Sequence, residues 1–238
     1  MSHNKYFQFK QFRIDQHHAA MKVNTDGVLL GAWTDVEGVN TVLDIGTGTG
    51  LIALMLAQRC NATITGIEIE PKAAGEALQN VQQSKWSDRI SILPVSFQQF
   101  VATTELRFDL IVSNPPFFSN SEKNRNPDLS VARHNDLLPF ADIITGACKL
   151  LTNQGCLSLI LPSSEASGFI AMAQKQGLFL TRITGVKPFP DKKQNRGLME
   201  FGHQELPVIE NEISVYDHFR KEYSAEFKTL ARDFYLKL

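Results

Sequence analysis

The stretch from Thr41 to Gly50 restricts the fold of this chain more than any other. Thr41-Val42-Leu43-Asp44-Ile45 is a short apolar run with β-branched members, which reads as a buried strand. Gly46-Thr47-Gly48-Thr49-Gly50 follows without a spacer, and Leu51 to Arg59 then has helical composition. A strand that passes through a glycine loop into a helix is the first turn of a doubly wound α/β sheet, where the backbone approaches a ligand closely. A dinucleotide fingerprint G-x-G-x-x-G would need glycine at position 51, and the chain has Leu51 there.

The next elements extend that ligand site. A second strand, Ala62 to Ile67, ends at Glu68, where an acid can accept hydrogen bonds from both hydroxyls of a ribose. Glu70 is the rival, but it falls at the start of a helix opened by Pro71 and running from Lys72 to Gln83. A third strand, Arg89 to Pro94, leads into Val95-Ser96-Phe97. Ser96 can accept a hydrogen bond there, and Phe97 packs either on a bound base or in the core.

A second constellation follows in Phe108-Asp109-Leu110-Ile111-Val112-Ser113-Asn114-Pro115-Pro116-Phe117. An apolar strand stops on a polar residue and two prolines. Neither proline donates a backbone hydrogen bond, and Pro115 holds Asn114 out of the helical region. The expected result is a stiff corner with a side-chain amide, unclaimed carbonyls and the aromatic face of Phe117. Such a corner suits a flat ring carrying an exocyclic amine. In a doubly wound sheet the first and fourth strands are neighbours at the switch point, so the glycine loop and this corner are expected to face one another across one crevice.

The flanking segments bear on the substrate. Residues 1 to 22 interleave Lys5, Lys10, Arg13 and Lys22 with Tyr6, Phe7, Phe9 and Phe12, and Asp15 is their only acid. They read as a strand or hairpin packed on the domain, or as a nucleic-acid contact. In Val23 to Trp33, Thr25 or Asp26 either caps a helix or stands over a ligand at the next strand. The polar segment from Phe118 to Leu138 lacks clear periodicity and reads as a substrate-gripping loop, with Arg133 and His134 its expected contacts. A helix near Pro139 to Leu151, a strand Gly155 to Leu161, a helix Ser164 to Lys175 and strands Phe179 to Val186 and Gly197 to Gly202 complete the expected sheet. The connection before the last strand carries Lys192, Lys193 and Arg196, which are candidate phosphate contacts. Residues 206 to 238 are expected to be a helical tail on a single domain spanning 1 to 238.

Formal net charge is −1, so a polyanion would have to meet a local basic patch rather than the whole surface. Three scattered cysteines make no metal or redox spacing, no apolar run is long enough to span a bilayer, and the first residues do not begin a secretory signal. The expectation is a cytoplasmic protein without metal, membrane or obligate protein partner.

The G-x-G-x-G loop preceded by Asp44 resembles motif I of the S-adenosylmethionine-dependent methyltransferases. With Asn114-Pro115-Pro116-Phe117 it resembles the amino-methyltransferases of the Rossmann-like class. Phe9-Lys10-Gln11-Phe12 leading to Met21-Lys22-Val23-Asn24-Thr25-Asp26-Gly27, together with Ala132-Arg133-His134 and the terminal Asp233-Phe234-Tyr235-Leu236-Lys237-Leu238, resembles bacterial tRNA adenine-N6 methyltransferases that modify adenine 37 beside the anticodon of a valine tRNA. The resemblance implies a seven-stranded, mostly parallel sheet whose last strand is reversed. It implies S-adenosylmethionine as donor, bound by Thr25, Asp26, Asp44, Gly46, Thr47, Gly48, Gly50, Glu68, Ser96, Phe97 and Asn114. It also implies an acceptor pocket of Asn114, Pro115, Pro116 and Phe117, and a tRNA anticodon loop as substrate. Ser96 stands where methyltransferases commonly carry an acid that reads the donor's adenine amine. The rival functions are methylation of a protein glutamine, methylation of a ribosomal guanine N2, and non-catalytic binding of nucleoside and RNA.

Overall fold

A computed structural model describes residues 5–17, 21–116, 138–218 and 222–238. A hairpin, β1 (Tyr6–Gln8) and β2 (Arg13–Asp15), precedes α1 (Thr25–Trp33). The sheet domain then alternates β3 (Thr41–Ile45), α2 (Leu51–Arg59), β4 (Thr63–Glu68), α3 (Pro71–Gln82), β5 (Ile90–Pro94), α4 (Phe97–Thr103) and β6 (Phe108–Ser113). Beyond residue 138 come α5 (Phe140–Leu150), β7 (Leu151–Pro162), α6 (Ser163–Lys175), β8 (Phe179–Lys187), β9 (Arg196–Gly202), β10 (Ile209–Ser214) and α7 (Ala225–Ala231).

The strands order as β10-β8-β9-β7-β6-β3-β4-β5. All neighbouring pairs are parallel except the two made by β9, which runs against both β7 and β8. The reversed strand is therefore where the resemblance put it. The sheet has eight strands rather than seven, because β10 adds to the outer edge of β8 in parallel. This corrects the expected helical tail over 206–238, which begins with a strand and reaches helix only at α7.

Alternation along each strand feeds two cores, one on each face of the sheet. Val42, Leu110, Val112 and Ile160 pack towards α1, α2 and the N-terminal hairpin. Leu43, Ile45, Ile111, Leu157, Leu159 and Leu161 pack towards α4, α5 and α6. Phe9 and Phe12 are buried in the first of these cores, where Phe9 stacks on Phe12 and meets Tyr235 edge-on. The N-terminal phenylalanines thus anchor the hairpin to the C-terminal segment and are spent on packing. Among the described residues no helix is long and apolar enough to cross a membrane.

One local expectation is corrected, and one helix is added. Asn24, not Thr25 or Asp26, caps α1, its side chain accepting from the Gly27 N–H at 2.9 Å. The segment after β5 is a short helix, α4, capped by Ser96.

Candidate active site

The site begins at the join between β3 and β6. Ile45 lies opposite Ser113 in parallel register, and the Ser113 hydroxyl donates to the Ile45 carbonyl at 3.1 Å. Both strands end on the same edge of the sheet, so the glycine loop and the Asn114 corner leave it side by side. A cavity of about 540 Å³ opens between them, with Gly46 to Thr49 on one wall and Ser113 to Pro116 on another. That volume is in the range that holds a drug-sized ligand.

The glycine-loop wall is tightly built. Gly46, Gly48 and Gly50 have φ of 68°, 56° and 80°, the left-handed region that a side chain disfavours. Glu68, at the end of β4, accepts from the Gly48 N–H and from the Glu70 N–H, each at 3.0 Å. Its carboxylate is thereby held against the loop and on the cavity wall. Glu70 caps α3 instead, accepting from the Lys72 and Ala73 N–H groups. Asp44 is fully buried behind the loop and receives the Thr47 hydroxyl at 2.6 Å. Burial pushes its carboxyl up to about 7, against the pull of the Thr47 hydroxyl and the Ala53 N–H, and nearby Glu68 adds to the rise.

The far end of the cavity lies at β5. Val95, Ser96, Phe97 and Gln98 line it, together with Ile69 just after Glu68. Ile69 is an exposed aliphatic face, 58% accessible. Phe97 is nearly buried, and its ring passes so close to α5 that a Cβ at Gly146 would stand 2.3 Å from Cζ. Its ring is therefore a core residue between α4 and α5, although the residue also borders the cavity.

The proline wall is different. Among the described residues the buried Asn114 Oδ1 atom has no hydrogen-bond partner, and Nδ2 meets the Met21 sulfur at 3.9 Å. Pro115 is buried and Pro116 exposed. Met21 and Lys22 from the N-terminal segment and Leu138 border the same space. Ile69, Gln98 and Leu138 carry no motif, and only the finished fold brings them, with Met21, to the cavity. Phe117, Arg133 and His134 lie outside the described residues.

Not every expected residue reaches the cavity. Gly46, Thr47, Gly48, Glu68, Ser96, Phe97 and Asn114 line it, whereas Thr25, Asp26, Asp44 and Gly50 do not. Asp26 forms an ion pair with Arg196 at 2.8 Å, which ties the start of α1 to the start of β9. Of the remaining basic candidates, Lys22 lines the cavity and Lys10 donates to the Arg232 carbonyl at 2.5 Å. Arg13 pairs with Asp15 and lies over the Tyr6 ring at 5.0 Å, and Lys192 pairs with Asp191 at 3.2 Å. Lys5 and Lys193 are exposed.

Known proteins share this fold. A family model described as Methyltransferase small domain matches residues 27–172, which covers most of the cavity lining and the strands β3 to β7. A predicted O-methyltransferase from Agrobacterium tumefaciens superposes with a TM-score of 0.68 at 18% identity, over 88% of this chain and 96% of its own. A methyltransferase from Pyrococcus furiosus superposes with a TM-score of 0.56 at 18% identity, over 80% and 89%. The fold is that of the class I methyltransferase sheet. Full-length relatives narrow this further. A tRNA1(Val) (adenine(37)-N6)-methyltransferase of Trichodesmium erythraeum is 47% identical over 97% of this chain and 98% of its own, and one of Christiangramia forsetii is 44% identical over 99% of both. The chain belongs to the family of tRNA1(Val) (adenine(37)-N6)-methyltransferases.

Proposed function

We propose that this protein transfers a methyl group from S-adenosylmethionine to the N6 amine of adenine 37 in a valine tRNA. The observation that carries the reading is the Asn114 side chain, whose partnerless buried oxygen stands on the cavity wall beside the glycine loop. A buried acceptor without a donor costs about 1–3 kcal/mol, and a ligand amine would relieve it. Family membership supports the substrate, because the relatives are named for this reaction.

The residues present fit the donor. The left-handed glycines let backbone approach its amino-acid end, the Glu68 carboxylate suits ribose hydroxyls, and Ile69 offers an apolar face to the base. When bound, S-adenosylmethionine supplies an electrophilic methyl on a sulfonium centre. Glu68 fixes the ribose while keeping the loop closed through the Gly48 N–H. Asp44 acts one step back from the ligand, by holding the Thr47 hydroxyl and so the shape of the loop.

At the proline corner the Asn114 oxygen accepts one proton of the adenine amine, and the Pro115 carbonyl accepts the other. The amine lone pair is delocalised into the ring, so these acceptors favour the pyramidal nitrogen that attacks. The paired prolines keep both acceptors fixed. Alignment supplies much of the remaining acceleration. A strong general base is not needed, because the methylated ammonium is acidic enough to lose its proton afterwards. Lys22 at the cavity mouth and the basic connection before β9 serve the phosphates, and an anticodon-loop base is cheaper to splay out than a paired one. A tRNA substrate also carries the reading that the enzyme works in the cytoplasm.

The test is to incubate the protein with labelled donor and bulk tRNA lacking the modification, digest the product and identify the nucleoside. N6-methyladenosine at position 37 is the expected product. Label in guanine N2 or in protein glutamine, or no label in nucleic acid, would overturn the reading.

A further inference from the structure

The end of β5 lacks the acid that commonly reads the donor's adenine amine, and the structure offers another group. We infer that Gln98, steadied by Asp142, is the residue that recognises the 6-amino group of the donor's adenine. The inference rests on the donor assignment above and adds to it the specificity of the base subsite.

Adjacent strand ends put the base there. β3, β4 and β5 lie side by side, roughly 4.8 Å apart, with Ile45 opposite Ile67 and Glu68 opposite Pro94. A ligand with its amino-acid end over the glycine loop and its ribose at Glu68 therefore extends its base towards the end of β5. Val95, Ser96, Phe97 and Gln98 line the cavity at that point.

Few acceptors are available among these side chains. Val95 and Phe97 have none. The Ser96 hydroxyl accepts from the Gln99 N–H at 3.2 Å and donates to the Gln99 Oε1 at 3.1 Å, so the cap of α4 takes its proton and one of its two lone pairs, whereas, among the described residues, the Gln98 oxygen has both lone pairs open. Gln98 remains. Its Nε2 donates to Asp142 Oδ2 on α5 at 2.7 Å. A carboxylate only accepts, so the amide has to present its NH₂ to Asp142 and turn Oε1 the other way. Among the described residues nothing donates to that oxygen.

Gln98 is exposed, but the helix that carries it is anchored. α4 is clasped to α5 by the Phe97 ring against Gly146 and by Lys149 Nζ donating to the Val101 carbonyl at 2.5 Å. A fixed amide oxygen beside an adenine accepts from its amine. Beside hypoxanthine it meets a carbonyl oxygen, with no proton between them. The site then discriminates by a hydrogen bond gained or lost, which is the strong form of specificity.

Calorimetric titration of the purified protein with S-adenosylhomocysteine and S-inosylhomocysteine tests this without turnover. The native protein is expected to favour the adenine compound about tenfold or more, the size of one such bond. Gln98→Met keeps the length and loses the oxygen. It should bind the adenine compound several-fold more weakly, leave the inosine compound unchanged and bring the two within about twofold. Asp142→Asn frees the Gln98 amide to turn over and should also erode the preference. Retention of the full preference in Gln98→Met, or in Asp142→Asn should the first variant not fold, overturns the inference alone. A native protein that binds neither compound overturns the donor assignment and the inference with it.

Discussion

The two walls of the cavity solve opposite problems with opposite residues. The glycine wall uses the freest residues, three of them with positive φ, and the carboxylate it turns to the cavity is held by backbone N–H groups. Glu68 takes the Gly48 and Glu70 N–H groups, and Asp44 takes the Thr47 hydroxyl. The proline wall uses the stiffest residues and, among the described residues, leaves the oxygen of its one side-chain amide short of a partner. A wall that only binds can be complete before the ligand comes. A wall that assists a reaction holds its acceptor ready for a proton that the substrate brings, which is preorganisation in its simplest form.

The sharpest way to break this contrast is to remove the unpartnered group. Asn114→Ala is expected to lower the rate of tRNA methylation by about 10²–10³-fold, the usual loss for one preorganised partner of the transition state. Affinity for S-adenosylhomocysteine should stay within about threefold, because the glycine wall is untouched. Single-turnover kinetics and calorimetry on one preparation read both. Equal losses would mean that the two walls do not divide the work.

The next test addresses the glycine wall through pH. The Asp44 carboxyl is raised from 3.8 to about 7 when folded, chiefly by burial. Between those values the folded protein holds a proton that the unfolded chain has released, so this group's contribution to stability falls as pH rises from about 4 through about 7. Asp44→Asn keeps the bond with Thr47 in reach and has no such titration. Its stability relative to the native protein should rise by a few kcal/mol over that interval, read from denaturant unfolding at successive pH values. A difference that does not vary with pH would remove Asp44 from its assigned place as the buried support of the loop.

A smaller effect is expected at Gly48, whose φ of 56° is the only obstacle to a side chain, since an added Cβ would meet nothing closer than the Gly46 carbonyl at 3.9 Å. Gly48→Ala should cost about 1 kcal/mol of strain and lower donor affinity roughly tenfold if the loop has to shift to relieve it. The methylation rate at saturating donor should change little, the reverse of Asn114→Ala.

Both walls were legible in the sequence for the same reason: each is a strand end followed by residues with hard backbone rules. Gly46, Gly48 and Gly50 can only be a left-handed loop at that place, and Asn114-Pro115-Pro116 can only be a corner. Sequence reading failed where the signal was weak or distant. α4 is too short for helical period to show, although Ser96 with Gln99 three positions on is a capping pattern that could have revealed it. β10 is an edge strand whose mostly exposed residues do not alternate, so nothing in Ile209-Glu210-Asn211-Glu212-Ile213-Ser214 announces a strand. The partners of Asp26 and Arg196 are 170 positions apart, and no local rule joins them. Gln98 reaches its place only through Asp142 on another helix.

That last failure bears on the substrate side, where the basic connection before β9 looked uniform in the sequence. In the fold its three cations differ. Lys192 pairs with Asp191 and Arg196 with Asp26, whereas Lys193 is exposed and makes no ion pair among the described residues. A cation already paired must give up its partner to meet a phosphate, so the two paired residues gain less from RNA. The connection follows the carboxyl end of β8, which runs parallel to β7 and so points to the same edge of the sheet as the proline wall. Lys193→Ala is therefore expected to weaken tRNA binding a few-fold and to reduce the slope of log affinity against log salt by about one. Filter binding over a series of salt concentrations reads both, with S-adenosylhomocysteine affinity as the control. An unchanged slope would mean that this connection does not carry RNA and that the phosphates are met elsewhere, with Lys22 at the cavity mouth the next cation to change.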